Sequence, residues 1–370
     1  MAAELRADEN RRLELFPLAP WADPYYWNKA ISRTAGGPIV DVLTSWDGLW
    51  YLRLVRLGYP TVVRPDVTYD VLDARAAFFP AYPWLVRTID SIAPGGDVVA
   101  ALGINLLLGG IFVYLCGLLA RDHFGPESAR HAMVFVAMFP GSFVLSFAYT
   151  EALLVVLAAG CLLALGQEKW LLAGLLAAVG TATRPNGLAL VMACGIAAFV
   201  AIRRDRNWRA LVALAFAPIG FVTFQWWLGR YTGEPGVWFR VQREAWGEGA
   251  SYGVTALRRT WRAIIHPLSS PTNTVTAASV VTMAAMVWMG RRLRIPGAWW
   301  AYSSTVIVLM LLPATVTARP RFLFTAFPLV IAAAVWFAEN RRGAWPWLLA
   351  SCSVGLVALT TLYGVYGAIP

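Results

Sequence analysis

Long apolar runs separated by short polar turns fill the chain from Asp97 to its C-terminal end. A helix that crosses a bilayer needs about 17–25 mainly apolar residues, and closely coupled helices can be shorter. The pattern therefore predicts about ten membrane spans. They are Asp97–Ala120, His131–Tyr149, Glu151–Gly166, Trp170–Thr183, Gly187–Ile202, Trp208–Gly229, Asn273–Gly290, Trp299–Pro313, Phe322–Ala338 and Trp345–Tyr366. The two short spans around Thr183–Gly187 are either one broken helix or a pair that dips in from one surface.

Composition strengthens the membrane interpretation. Hydrophobic residues make up 58% of the chain and charged residues only 14%, whereas soluble domains carry about 25% charged residues. Mean hydropathy is +0.57. The four cysteines all lie within apolar runs, so they are interpreted as small core residues and not as metal ligands or disulfides. The net charge of +10 indicates arginine-rich cytoplasmic turns and contact with anionic membrane lipids, and no nucleic-acid partner.

Three arginine clusters predict the orientation, because short arginine-rich turns stay in the cytoplasm. They lie at Arg203–Arg209, Arg291–Arg294 and Arg341–Arg342. With these inside, residues 1–96 and the long loop 230–272 are predicted to be extracytoplasmic, and residues 97–370 form the transmembrane domain. Residues 1–96 contain no apolar run long enough to span, so we expect a first transmembrane helix to be missing before them.

The N-terminal segment carries an acid among aromatic residues, in the run Ser45-Trp46-Asp47-Gly48-Leu49-Trp50-Tyr51-Leu52. An amphipathic helix from Trp46 to Leu57 would place Asp47 near Trp50 and Tyr51. A carboxylate in such surroundings at a membrane surface is either a catalytic base or an ordinary helix cap. The neighbouring acids lie in more polar sequence and are interpreted as solvated loop residues; they are Asp41, Asp66, Asp70 and Asp73.

Four sequence blocks in order resemble the PIG-V-type mannosyltransferases, which add the second mannose to GPI anchors and have actinobacterial relatives. The blocks are "WDGLWYLRLVRLGYP" with "AAFFPAYP", then "SFAYTE", "ATRPNG" and, more loosely, "RPRFLFTAFP". This family belongs to the GT-C glycosyltransferases, multi-span enzymes that use lipid-phosphate sugars. The resemblance implies that Asp47, in the first outer loop, is the catalytic base. It also implies an acceptor that is a glycolipid or glycan.

The chemistry of such a transfer adds candidates for donor binding. Cations must balance the charge that develops on the departing phosphate. Arg184 is the strongest, because it lies between two apolar runs, where a charge needs a partner or a function. The full set of donor and substrate candidates is Arg184, Asn186, Glu151, Arg319, Arg321, Trp46 and Tyr51. Arg240, Arg243 and His266 in the long loop are alternatives, although interfacial arginines commonly serve as headgroup anchors.

The sequence thus predicts an all-α polytopic GT-C-type membrane protein with about ten to eleven transmembrane helices and extracytoplasmic loop helices. The expected reaction is inverting mannosyl transfer from polyprenyl phosphomannose, with no cofactor and no metal, on the extracytoplasmic side of the cell membrane. A GT-C enzyme for another lipid-linked sugar, such as arabinofuranose or glucose, is the nearest alternative. A transporter or lipid flippase is the alternative from a different class, although transporters tend to show internal repeats, and none is evident here.

Overall fold

The computed structural model describes residues 37–69, 71–247, 249, 251–313 and 318–364, and all of its regular secondary structure is helical. The α-helices are α1 (Pro38–Leu43), α2 (Asp47–Leu57), α3 (Ala81–Ile92), α4 (Gly96–Phe124), α5 (Pro126–Met138), α6 (Glu151–Gly166), α7 (Trp170–Thr181), α8 (Ala189–Asp205), α9 (Leu211–Phe216), α10 (Ile219–Thr232), α11 (Val237–Trp246), α12 (Val254–Ile265), α13 (Pro271–Leu293), α14 (Gly297–Leu311), α15 (Pro320–Thr325), α16 (Phe327–Asn340) and α17 (Trp345–Gly364). Five 3₁₀ helices lie at Leu72–Ala77, Pro140–Ser146, Pro185–Leu188, Trp208–Ala210 and Arg342–Ala344.

The chain divides into two compact units. The first contains the described residues up to Ile104, together with Phe147–Tyr149 and Gln225–Gly247. The second contains Asn105–Ser146, Thr150–Phe224 and the described residues from 249 onward.

Apolar helices dominate the described residues, and five of them are long and apolar enough to cross a membrane: Gly96–Phe124, Pro185–Asp205, Trp208–Thr232, Pro271–Leu293 and Arg342–Gly364. Four shorter apolar helices are α6, α7, α14 and α16. Large apolar side chains are left exposed on these helices, as at Leu106, which is 74% exposed. Such exposure is expected where the surrounding solvent is lipid. The chain is therefore a multi-pass membrane protein, whereas a total of ten to eleven spans stays a prediction.

The predicted continuous span His131–Tyr149 is wrong in one respect, because it bends by 76° between α5 and the 3₁₀ helix Pro140–Ser146. The break lies at Phe139, whose backbone is extended (φ −60°, ψ 136°). A residue that precedes proline is disfavoured in the helical region, so Pro140 explains the break. Gly141 follows, and a Cβ there would lie 2.3 Å from the Pro320 carbonyl oxygen. The bend thus lets two backbones meet where no side chain fits.

The arginine clusters lie at the ends of apolar helices. Arg203 and Arg204 are in the last turn of α8, and Arg291 and Arg292 are in the last turn of α13. Cations at a helix C-terminus interact favourably with the helix dipole. The side of the membrane on which these ends lie stays a prediction.

Candidate functional site

Asp47 is the first residue of α2, so the helix predicted for Trp46–Leu57 is confirmed with a start one residue later. Its side chain is half-buried. The preceding residue, Trp46, has φ 56° and ψ −118°. That conformation favours glycine and costs a larger residue about 1–3 kcal/mol, so it persists only where the surroundings hold it.

The turn before Asp47 is held by hydrogen bonds within the first unit. The Ser45 hydroxyl donates to the Val42 carbonyl over 2.8 Å. The Tyr149 hydroxyl donates to the Ser45 carbonyl at 3.2 Å, and the Ala148 amide donates to Leu43 at 2.9 Å. The segment Phe147–Tyr149 therefore fixes the chain just ahead of Asp47.

The absence of a side chain at Gly48 allows the segment Phe147–Tyr149 to lie close to the start of α2. A Cβ at Gly48 would lie 3.3 Å from the Ala148 carbonyl oxygen and 3.4 Å from the Tyr149 ring. These contacts are tighter than ordinary van der Waals distances, so a larger side chain would push the 147–149 segment away. The structure thus joins two sequence blocks that are about a hundred residues apart, as the hydrogen bond between Tyr149 and Ser45 records.

Tyr51 lies in a cluster of aromatic rings and is buried. Its ring centroid is 5.0 Å from that of Phe78 and 5.4 Å from that of Tyr82, both in edge-to-face geometry. Phe78 also stacks on Trp50 at 5.9 Å. Such pairs add stabilisation beyond their buried area. The structure therefore places Tyr51 in the packing that supports α2.

Helix α11 docks on the loop that follows α2. The Trp238 indole donates to the Ala77 carbonyl at 2.9 Å. Arg240 pairs with Glu234 at 2.6 Å and with Glu244 at 2.8 Å, and it also donates to the carbonyls of Val63 and Arg64. The bond from Arg240 lowers the pKa of Glu234. Arg240 thus holds α11 against the Val63–Arg64 segment of the first unit.

The acidic residues near Asp47 in the sequence differ in how far their side chains are exposed. Asp73 is only 9% exposed, and it accepts hydrogen bonds from the backbone amide and the guanidinium of Arg64. The interpretation of Asp73 as a solvated loop residue is therefore wrong, and its burial follows from a 3₁₀ turn that the sequence pattern does not signal. Asp66 is exposed, Asp41 is half-buried in α1, and Asp70 lies outside the described residues.

The second unit contains a buried group of charges. Glu151 is the first residue of α6 and is fully buried. Arg184 and Arg321 both form ion pairs with the same oxygen, Oε1, of Glu151. Arg184 is 12% exposed and Arg321 is 5% exposed at the side chain. We call Glu151, Arg184 and Arg321 the cationic cluster, because two guanidinium groups share one carboxylate.

Proline residues fix the backbone at Arg184 of the cluster and at Arg319, two residues before Arg321. Arg184 is extended (φ −172°, ψ 165°) before Pro185, and Arg319 is extended (φ −133°, ψ 146°) before Pro320. Residues before proline avoid the helical region, so Arg184 is not helical and helical structure resumes at Pro185. Arg321 follows Pro320 in the first turn of α15. Both breaks occur beside apolar helices, where they carry arginines into the interior of the unit.

The cationic cluster has one positive charge more than it neutralises internally. Among the described residues, the Arg184 Nε and Glu151 Oε2 atoms are buried without a hydrogen-bond partner. The guanidinium groups of Arg184 and Arg321 lie over the Phe322 ring, at 5.7 Å and 5.4 Å from its centroid. A cation held in such a dry environment needs a partner or a function. The cluster is therefore suited to bind an anion such as a phosphate, which arginines recognise with directed hydrogen bonds.

Buried polar atoms accompany the cluster. The Asn186 Nδ2 atom has no hydrogen-bond partner in the described part of the chain, and the same holds for the Tyr302 hydroxyl and the Ser303 hydroxyl. Helix α14, which carries Tyr302 and Ser303, packs on the 3₁₀ helix Pro185–Leu188 and on α6. Tyr302 and Ser303 were missed by sequence reasoning. Their signal is the polar stretch Tyr302–Thr305 in the middle of an apolar run, which at membrane depth points to function.

Arg319 adds a further charge. Burial lowers the pKa of Arg319, and repulsion from Arg321 and from Arg259 lowers it further. Arg319 is thus close enough to Arg321 for their charges to interact. Two other candidates, Arg243 and His266, are exposed.

Two comparisons find nothing: no protein-family model matches the chain, and no curated protein sequence matches it. Solved structures do. The structure of ArnT from Cupriavidus metallidurans bound to undecaprenyl phosphate superposes with a TM-score of 0.55, at 13% identity over 94% of this chain. The structure of ArnT in the apo state gives a TM-score of 0.53, at 15% identity over 86% of this chain. The matched regions span 64% and 59% of those two chains.

This likeness concerns the fold, because the identities are low. The chain has an all-helical membrane fold similar to that of the ArnT structures. The expected all-helical membrane fold is thereby confirmed, whereas the GT-C type, the number of spans and membership of the narrower PIG-V-type family stay predictions.

Proposed function

We propose that this protein is an inverting glycosyltransferase that moves mannose from polyprenyl phosphomannose to an extracytoplasmic glycolipid or glycan acceptor. The observation that carries the proposal is the cationic cluster, in which two buried arginines share one carboxylate, on an all-helical fold similar to that of ArnT. The neighbour whose structure contains undecaprenyl phosphate supports a polyprenyl phosphate donor for this chain.

The proposed reaction divides the work between two kinds of residue. The acceptor hydroxyl attacks the anomeric carbon, and the bond between that carbon and the phosphate oxygen breaks. Asp47 takes the hydroxyl proton as general base. The electron pair of the broken bond leaves with the polyprenyl phosphate, whose growing charge Arg184 and Arg321 stabilise. Attack opposite the leaving group inverts the anomeric configuration, and no metal or cofactor is required.

Mannose is proposed because of the PIG-V-like sequence blocks around Asp47 and Arg184. Trp46, Tyr51 and Asn186 are proposed as further contacts or supports of the substrates. In this proposal residues 1–96 and 230–272 are extracytoplasmic, and the active site faces the same side. Cysteine-accessibility labelling in intact cells tests this orientation: an impermeant reagent should leave a cysteine at Asn207 unlabelled.

The direct test is a membrane assay with radiolabelled polyprenyl phosphomannose, comparing cells that overexpress the protein with cells that lack it. We expect labelled mannose in a lipid or glycan fraction only when the protein is present, and loss of that label with Asp47→Asn. Parallel assays with polyprenyl phosphate-linked glucose and arabinofuranose test the sugar. Transfer of none of the three sugars, together with movement of a lipid across the bilayer, would favour the flippase alternative.

A further inference from the structure

Helix α12 is attached near both ends to apolar helices of the second unit. Before it begins, the Ser251 amide donates to the Leu312 carbonyl at 3.1 Å, directly beyond the end of α14. After it ends, the chain enters α13 at Pro271, where the Ser270 hydroxyl accepts from the Asn273 amide at 3.2 Å. Helix α13 is long and apolar enough to cross a membrane, and only a short turn joins it to α14. Because helices joined in this way run antiparallel, α13 begins on the side where α14 ends, and α12 is held near that membrane surface.

One side of α12 is buried, and another is apolar and exposed. Successive residues of an α-helix are about 100° apart, so positions seven apart lie on one side. Ala256 and Ala263 form the buried side, and the helix packs on α13. Leu257 and Trp261 lie on the apolar side and are 72% and 65% exposed. The same side contains three further exposed residues, Val254, Ile264 and Ile265. This side is suited to lipid, and tryptophan favours the interface between lipid and water.

Two arginines border this apolar side. At about 100° per residue, Arg258 and Arg262 lie about 70° and about 110° from its centre, whereas Arg259 lies about 170° away. Arg258 and Arg262 are exposed, and in the described part of the chain neither is paired with an acid. They are four positions apart, where like charges repel each other, and α12 contains no acidic residue that could relieve this repulsion. An anion between the two guanidinium groups would relieve it, and arginine recognises phosphate with directed hydrogen bonds.

We propose that α12 is an interfacial helix that binds anionic phospholipid: its apolar side lies among the acyl chains, and Arg258 and Arg262 bind the lipid phosphate. An apolar side bordered by arginines is the pattern of helices that lie in a membrane interface. The net charge of the lipid identifies the occupant, because a zwitterionic phospholipid brings its own cation to the phosphate and an anionic phospholipid does not. No sugar donor takes part in this binding, so it holds or fails separately from the proposed function.

The test places a fluorophore on the apolar side of α12 and measures which lipid surrounds it. The full-length Leu257→Cys protein is labelled with bimane and reconstituted in phosphatidylcholine vesicles. The native cysteines are buried, so the label reacts at the introduced position. We expect emission typical of an apolar environment. Doxyl-labelled phosphatidylglycerol should quench this emission at least about twofold more strongly than doxyl-labelled phosphatidylcholine, because arginines near a lipid surface favour anionic lipid.

Variants of the arginines locate the lipid site. Arg258→Gln combined with Arg262→Gln should make the two labelled lipids quench equally. Arg259→Gln is the matched control, because it removes the same charge on the far side of the helix, and it should keep the preference for phosphatidylglycerol. Thermal unfolding in detergent identifies a folding defect, and Arg262→Gln alone, as a milder variant, should give an intermediate preference. Raising the salt concentration should weaken the preference in the parent protein.

Four outcomes would overturn the proposal. Emission typical of water would remove α12 from the membrane, and equal quenching by both lipids in the parent protein would remove the anionic preference. An unchanged preference in the double variant, or an equal loss in Arg259→Gln, would separate the preference from Arg258 and Arg262. If a small share of undecaprenyl phosphate abolished the preference for phosphatidylglycerol, the occupant would be the polyprenyl lipid and not a phospholipid.

Discussion

Replacing Arg184 by alanine separates a phosphate-binding role from a structural one. Arg184 and Arg321 share the Oε1 atom of Glu151, so the cluster carries one excess positive charge. Arg184→Ala leaves Glu151 paired with Arg321 and makes the cluster neutral. In the variant Glu151 keeps Arg321 as a partner, and the Arg184 guanidinium is lost as a ligand for an anion.

The ion pairs of Glu151 determine how much each variant should lose in donor affinity and in stability. A hydrogen bond to a charged group contributes about 1.5–3 kcal/mol, and each 1.4 kcal/mol is about tenfold in affinity, so Arg184→Ala should weaken donor binding by about 10- to 150-fold. Removing one partner of a buried pair costs about 3–5 kcal/mol when the other charge is left uncompensated. Because Glu151 retains Arg321, the loss of stability in Arg184→Ala should stay below that range. Glu151→Ala leaves two buried arginines without their carboxylate and should reach it.

The assay combines transfer kinetics with binding of undecaprenyl phosphate, at matched expression and with thermal unfolding in detergent as the control for folding. Arg243→Ala is the matched control, because Arg243 is an exposed arginine on α11. It should keep wild-type binding. Arg184→Lys should be partly defective, since a point charge does not reproduce the guanidinium fork. Wild-type affinity in Arg184→Ala, with the folded protein intact, would refute the assignment of the cluster to the donor phosphate.

Three further predictions concern the first unit. Asp47→Asn should fold normally and lose about 10²–10⁴ in turnover, the usual contribution of a general base, whereas the exposed Asp66→Asn should be nearly silent in the same transfer assay. Gly48→Val should destabilise the protein by about 1–3 kcal/mol in detergent unfolding, since overpacking displaces neighbours and the Ala148 carbonyl leaves no room there. Arg240 lowers the pKa of Glu234. The pair therefore stabilises the fold above the ordinary glutamate pKa of about 4.3, and this stabilisation is lost as the pH falls below that value. The difference in unfolding temperature between wild type and Glu234→Gln should shrink between about pH 6 and pH 3.

The positions of the helices were accessible from the sequence, because lipid leaves no alternative to a helix for an apolar run. The run Glu151–Gly166 is helical over the predicted bounds, and α13 begins and ends within a few residues of the predicted Asn273–Gly290. Local breaks were less accessible. Pro140 interrupts a run that is apolar on both sides, and its effect depends on the residue before it and on Gly141 after it.

The partners within the site were only partly accessible, since hydrophobic periodicity carries no information about distant contacts. The sequence predicted that Arg184 needs a partner or a function, and the structure pairs it with Glu151. It gave no signal that Arg321 would share the same carboxylate oxygen. The docking of Trp238 on the Ala77 carbonyl is likewise a long-range contact, which aromatic composition alone did not specify.

The arginines in and near the cationic cluster match the charge of the product phosphate better than the charge of the donor. Polyprenyl phosphomannose is a phosphodiester with a single negative charge, which the one excess positive charge of the cluster balances. The leaving polyprenyl phosphate is a monoester that carries about −1.5 to −2 at pH 7. Arg319, whose charge interacts with that of Arg321, would supply a second positive charge to this product. Interactions that strengthen only in the transition state raise kcat and not ground-state affinity. Arg319→Gln should therefore lower kcat by a larger factor than it raises KM, whereas Arg184→Ala should chiefly weaken binding. Steady-state kinetics of the two variants distinguish these patterns. An unchanged kcat in Arg319→Gln would refute a role for Arg319 in stabilising the transition state.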